Sequence, residues 1–158
     1  MVDTAVLCAY GSENGAGGFN SMTTTTIRIR GYHEDRFGHV NNARYLELLE
    51  DARWAHLEER GLDGAFFKAH GIFPVVVGLT VSYRRPASAG DTLHVTAEIA
   101  SARSRKIVIA QTIRHAESDA VCVEAEVTAV FLDEATGRPV LLSSEILAAW
   151  PELSEARA

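Results

Sequence analysis

Asp35, Gly38, His39, Asn41 and Asn42 fall inside one stretch of eight residues, Asp35-Arg36-Phe37-Gly38-His39-Val40-Asn41-Asn42. A carboxylate stands three residues before a glycine, a small polar cluster follows, and a strongly apolar segment comes next. If that segment is a helix, its first turn carries backbone N–H groups without intrahelical acceptors. Its positive end also favours a nearby anion. One negative group and several free N–H donors would then converge on a single point. That combination suggests chemistry on a carbonyl.

The helix that must do this positioning is predicted to begin near Asn41, a good N-cap residue, and to stop at Gly61. Apolar residues crowd it on nearly every side (Tyr45, Leu46, Leu48, Leu49, Ala52, Trp54 and Leu57 among them), so it reads as enclosed by other structure. Before it, Ile27 and Ile29 alternate with Arg28 and Arg30, which predicts a strand from about Thr24 to His33. After it come four more strands with period-2 patterning, over Phe73–Arg85, around Leu93–Ile99, around Ile107–Ile113, and over Val121–Phe131. Polar turns separate them at Ser101–Arg105 and Glu117–Asp119, and a short helix is expected over Ser144–Trp150. The order, a strand, a long helix and then four meandering strands, predicts an α+β domain, a curved antiparallel sheet of about five strands wrapped around one long helix. Such a sheet has free edges, which invite pairing with a second copy.

Residues 1–22 are rich in glycine and small polar residues and lack periodicity, and they read as a flexible extension. The domain is placed over 23–150 and a C-terminal tail over 151–158. At 158 residues the chain suits one domain, and its 47% hydrophobic and 23% charged residues are ordinary for a globular protein. A net charge of −6 argues against a nucleic-acid binder, because phosphate contacts need an excess of Lys and Arg. No stretch reaches the ~20 apolar residues that span a bilayer, so membrane insertion is not expected and a cytoplasmic location is the default. Two cysteines, Cys8 and Cys122, form no metal or disulfide pattern. His33, Asp35 and His39 match no established ligand spacing, so neither metal nor cofactor is expected.

The chain resembles hot-dog fold acyl-CoA thioesterases of the 4-hydroxybenzoyl-CoA thioesterase type. The carrying residues are Asp35-x-x-Gly38-His39-Val40-Asn41-Asn42-x-x-Tyr45-Leu46, then Glu50-x-x-Arg53, then Tyr83-Arg84-Arg85-Pro86-Ala87-x-x-Gly90-Asp91, with weaker support from Thr136-Gly137-Arg138-Pro139. The likeness spans roughly residues 24–142. It implies that Asp35 is the catalytic carboxylate and that the Asn42 N–H, four residues after the glycine, is the oxyanion donor. It also implies a homodimer or homotetramer with active sites at the subunit interface, and an acyl-CoA as the substrate partner.

On that reading Asp35 attacks the thioester carbonyl directly or activates a water as general base, and the sequence leaves both open. An oxyanion donor of this kind is typically worth ~2.7–4 kcal/mol of barrier. Asp35 could instead cap the helix or a turn. His39 either contacts substrate or tunes Asp35, or serves the loop backbone. Gly38, Asn41 and Tyr45 are candidates near the substrate, although Asn41 also reads as the helix N-cap and Tyr45, like Trp54, reads first as core. Glu50 pairs with Arg53 or acts as a second acid. Arg84, Arg85, Arg103, Arg105 and Lys106 are candidates for the phosphates of CoA. A hot-dog hydratase or dehydratase is the competing enzyme class, although its proline between Asp and His is missing here. A non-catalytic acyl-CoA or acyl-carrier binding module is the competing non-enzyme.

Overall fold

The computed structural model of the chain describes residues 22–155. The extension expected over 1–22 therefore lies outside the described residues, apart from Met22 itself, which opens the first strand. Five strands, β1 (Met22–Arg28), β2 (Ile72–Tyr83), β3 (Thr92–Arg103), β4 (Lys106–His115) and β5 (Val121–Asp133), form one antiparallel sheet. The main helix α1 (Asn42–Glu58) packs on it, with the shorter α2 (Gly64–His70), α3 (Ser144–Ala149) and α4 (Glu152–Glu155) around the edges. The architecture is the expected single sheet around one long helix.

One part of the expected topology is corrected. The strand order is β1-β3-β4-β5-β2, so only β3, β4 and β5 meander. β2 pairs with β5 from Ile72↔Asp133 to Tyr83↔Val123 and forms the edge opposite β1. Alternation along a strand reports which face is buried. It carries no information on which distant strand supplies the partner.

The inner face follows from period 2. Thr23, Thr25, Ile27 and Ile29 share the inward side of the first segment, and Val95, Ile113, Val123 and Ala125 meet it from the other strands. Tyr45, Leu48, Leu49 and Ala52 of α1 fill the space between. The first strand ends at Arg28 because its partner β3 begins at Thr92. Gly31–His33, expected to extend it, forms a 3-10 turn instead, and His33 Nδ1 accepts the Arg30 N–H at 3.0 Å.

α1 is capped as its sequence suggests. The Asn41 side chain accepts the Ala43 N–H, and Gly61 takes a positive φ of 71° while the Leu62 N–H returns to the Leu57 carbonyl. The helix is less enclosed than expected. Its core face holds Tyr45, Leu48, Leu49, Ala52, His56 and Leu57, but Glu47, Glu50, Asp51 and Trp54 are exposed. α2 was not anticipated. Asp63 caps its start by accepting the Phe66 N–H at 2.8 Å, and Gly71 ends it in the left-handed region. At the C-terminus the expected Ser144–Trp150 helix is present as α3. The segment expected to be a tail from residue 151 carries α4, whose Leu153 is fully buried with Ile146 and Trp150.

Candidate active site

The stretch from His33 to Asn41 folds back on itself. The Asn41 N–H donates to the His33 carbonyl at 2.9 Å, the Asp35 N–H to the His39 carbonyl at 2.8 Å, and Glu34 bridges Val40. This closure needs the tight turn at Gly38, where φ is +76°, a region that side chains rarely adopt. It sets the Asp35 loop directly beside the start of α1.

A second turn, Pro86–Asp91, holds that loop from outside. The Val40 N–H donates to the Ala87 carbonyl at 2.8 Å and the Ser88 hydroxyl to the Gly38 carbonyl at 2.9 Å. The Ala89 N–H donates to Glu34 Oε1 at 2.6 Å, and Asp91 Oδ2 accepts the Ser88 N–H at 2.8 Å. Glu34 and Ser88 carry none of the expected site roles, yet both fix the loop. Their signal in the sequence was the Gly90-Asp91 turn beside Pro86.

The Asp35 carboxylate accepts one hydrogen bond, from the Phe37 N–H to Oδ1 at 2.8 Å. Its second oxygen has no protein donor among the described residues, so the group is half-engaged as a local turn former and half-open. At the helix start, Asn41 satisfies three of the N–H groups that follow. Its side chain takes Ala43, and its carbonyl takes Arg44 at 2.9 Å and Tyr45 at 3.4 Å. Among the described residues the Asn42 N–H has no acceptor. Its carbonyl, in contrast, accepts the Tyr83 hydroxyl at 3.1 Å. Asn42 is solvent-exposed.

The other expected site residues divide. Gly38 and Asn41 shape the loop and the cap, as described. His39 is exposed at the loop surface. His33 is held below its ordinary pKa mainly by burial and by the Arg44 charge, which suits its role as an acceptor. Tyr45, expected near the substrate, is 4% exposed and faces the turn, where its hydroxyl accepts the Ala87 N–H at 3.0 Å. Burial pushes that hydroxyl's pKa up to about 12.

Arg84 and Arg85 continue from the Tyr83 end of β2, the end fastened to Asn42. Arg84 pairs with Glu124 at 2.8 Å, and Arg85 is exposed. Arg103, Arg105 and Lys106 sit on the β3–β4 turn. β3 runs twelve residues away from the Asp91 turn, so that tip lies roughly 35 Å along the strand from the Asp35 loop. Within one chain these three residues are not brought together with Asp35.

Glu50 does lie beside a cavity. A space of about 460 Å³ opens between α1 and β2, and Leu46, Leu49, Glu50, Arg53, Trp54 and Leu57 line its helix side. These positions follow the spacing of a single helical stripe. The wall is apolar apart from Glu50 and Arg53. Arg53 does not ion-pair with Glu50 as expected; its guanidinium donates to Gln111 Oε1 at 2.8 Å, and Gln111 Nε2 donates to the Leu49 carbonyl at 2.9 Å. Desolvation lowers the Arg53 pKa and the Glu50 charge opposes that shift. The sequence carried a sign of this cavity in the second apolar stripe of α1, which had suggested complete enclosure.

A carboxylate with one open oxygen and an unbonded N–H at a helix start stand at the head of the helix that lines the apolar cavity. The model of the thioesterase-like superfamily matches residues 31–150. The chain is 38% identical over 122 residues to the long-chain acyl-CoA thioesterase FadM of Escherichia coli K12, covering 77% of this chain and 92% of that protein. It is 34% identical over 131 residues to the acyl-CoA thioester hydrolase YbgC of Escherichia coli O6:H1, covering 80% and 97%. The crystal structure of YbaW, a probable thioesterase from Escherichia coli, superposes with a TM-score of 0.73 at 37% identity, covering 82% of this chain and 97% of that one. The chain belongs to the thioesterase-like superfamily and has its hot-dog fold. It is a thioester hydrolase.

Proposed function

We propose that the protein hydrolyses fatty acyl-CoA thioesters to the free acid and CoA, with Asp35 as nucleophile or general base and the Asn42 N–H as oxyanion donor. The observation that carries this reading is the unbonded Asn42 N–H at the start of α1, to which the loop bearing the half-open Asp35 carboxylate is tied, on a helix whose next turns line the apolar cavity. FadM and YbgC, both named for acyl-CoA hydrolysis, support CoA as the thiol.

In the general-base form, Asp35 takes a proton from water and the hydroxide adds to the thioester carbon. The carbonyl oxygen becomes an oxyanion that accepts the Asn42 N–H. The C–S bond then breaks, and the thiolate of CoA recovers the proton from Asp35. In the nucleophilic form, Asp35 adds to the carbonyl itself, CoA leaves, and water hydrolyses the mixed anhydride. Both routes need the same two groups. Arg85, exposed at the Asn42 end of β2, suits the CoA phosphates.

The active unit in this reading is a homodimer formed through β2. That edge strand exposes Phe73, Val76, Val77, Leu79 and Tyr83, and it borders the cavity through Pro74 and Val75. No helix among the described residues is long and apolar enough to cross a membrane.

The test is thiol release from short, medium, long and aromatic acyl-CoAs by the wild type and by Asp35→Asn. The variant is expected to fold normally and to lose on the order of 10²–10⁴-fold in kcat. Turnover at the wild-type rate would remove Asp35 from the chemistry.

A further inference from the structure

We infer that Trp150, at the end of α3, is the stop that sets the length of acyl chain this enzyme accepts. The inference rests on the fatty acyl-CoA reading above and adds the residue that limits the chain.

The cavity has a direction. Its helix wall starts at Leu46, one turn beyond Asn42, and ends at Leu57, eleven residues further on. At 1.5 Å per residue that is roughly 16 Å. An extended chain advances about 3.3–3.6 Å per three bonds, so some 14 bonds fit along this wall. The turn between Asn42 and Leu46 adds a few more. The apolar wall is therefore long enough for an unbranched chain of about 14–18 carbons.

The Leu57 end is closed. Leu57, Ile107, Phe131 and Trp150 cluster there, and Trp150 is 1% exposed. Trp150 is the lining residue contributed from outside α1 and the sheet strands. The segment that carries it is fastened rather than loose. Its indole lies 5.2 Å from the His56 ring, the Trp150 backbone N–H donates to the Ile146 carbonyl at 2.8 Å, and Glu152 pairs with Arg60 beyond the end of α1 at 2.6 Å. Leu153 anchors the same segment in the core. A large rigid ring, locked from behind and placed across the end of an apolar channel, is a physical limit on chain length.

The test measures kcat/KM for saturated acyl-CoAs from C8 to C20, below their micelle concentrations, in the wild type, Trp150→Ala and Trp150→Phe. The wild type is expected to gain with length, by about fourfold per methylene at most, and to fall beyond about C16. Trp150→Ala is expected to move the fall by at least two carbons and to raise the C18 to C14 ratio at least tenfold, with Trp150→Phe shifting it less. The ratio is independent of how much enzyme is folded, so a destabilised variant still reports. The same series of S-alkyl-CoA thioethers, which cannot be hydrolysed, measures the limit by calorimetric binding alone. A wild type without a length limit in hydrolysis or binding, or variants with unchanged ratios, would overturn the inference. Absence of hydrolysis alongside a thioether length limit that Trp150→Ala moves would instead sink the proposed hydrolysis of fatty acyl-CoA and leave the stop in place.

Discussion

The Ala87 N–H donates to the hydroxyl of Tyr45 at 3.0 Å, and Ala87 in turn accepts the Val40 N–H at 2.8 Å. One turn of α1, the outer turn and the Asp35 loop are thereby tied at a single buried residue. Tyr45→Phe keeps the ring and removes the acceptor, which leaves a buried N–H unpaired. That costs about 1–3 kcal/mol, read as a shift in the urea midpoint at constant slope. Because the same turn supports the loop, kcat should fall as well while KM changes little. Unchanged stability would show that the Ala87 N–H finds another acceptor.

Stability should depend on pH through His56. The ring is 1% exposed, and burial first, then the adjacent Arg60 charge, lowers its pKa to about 4 while Glu152 opposes the shift. Thr23 gives its hydroxyl proton to Glu59 at 2.8 Å, so it accepts from His56 Nδ1 at 2.9 Å and the neutral ring carries its proton there. Between the unfolded value of 6.5 and the folded value of about 4, the unfolded chain binds the extra proton. This contribution is therefore complete above pH 6.5 and is lost as the pH falls towards 4. The difference corresponds to about 3 kcal/mol. Unfolding free energies of wild type and His56→Gln across pH 4–8 should differ in slope over that window. Parallel curves would rule His56 out as the source.

Local signals in the sequence were sufficient for the parts of the fold that depend on neighbours. Asn41 as cap, Gly61 as stop and the alternation of Val121–Phe131 all rest on interactions a few residues long, and all are present. The Asp35-x-x-Gly38 spacing likewise pointed to a turn beside a helix start, and the loop closes there. What failed depended on distant contacts. Nothing in Ile72–Tyr83 says that it pairs with β5 rather than with β3, the next strand in sequence. The apolar excess on α1 predicts enclosure, because a cavity wall and a core wall use the same residue types. α2 is only seven residues long, too short for periodicity, although Asp63 and Gly71 marked both ends. Trp150 was visible as a helix terminus, but its place at the end of the cavity exists only after β4, β5 and α1 have packed.

The edge strand supplies the last prediction. Val77 sits at the irregularity between Val76 and Gly78, where β2 slips against β5, and it is 59% exposed. A hydrophobic edge strand left in water is an aggregation hazard, and natural sheets rarely keep one uncovered. β1, at the other edge, exposes mainly threonine and arginine, so β2 is the edge that gains by pairing with a second copy. In the proposed dimer, Val77→Asp places like charges in close approach across the β2 edge, and light scattering should then show a monomer. Since the cavity borders the same strand, thiol release should fall at least tenfold while the monomer keeps its secondary structure by circular dichroism. A variant that stays dimeric and fully active would place the subunit contact on another face and leave the cavity complete within one chain.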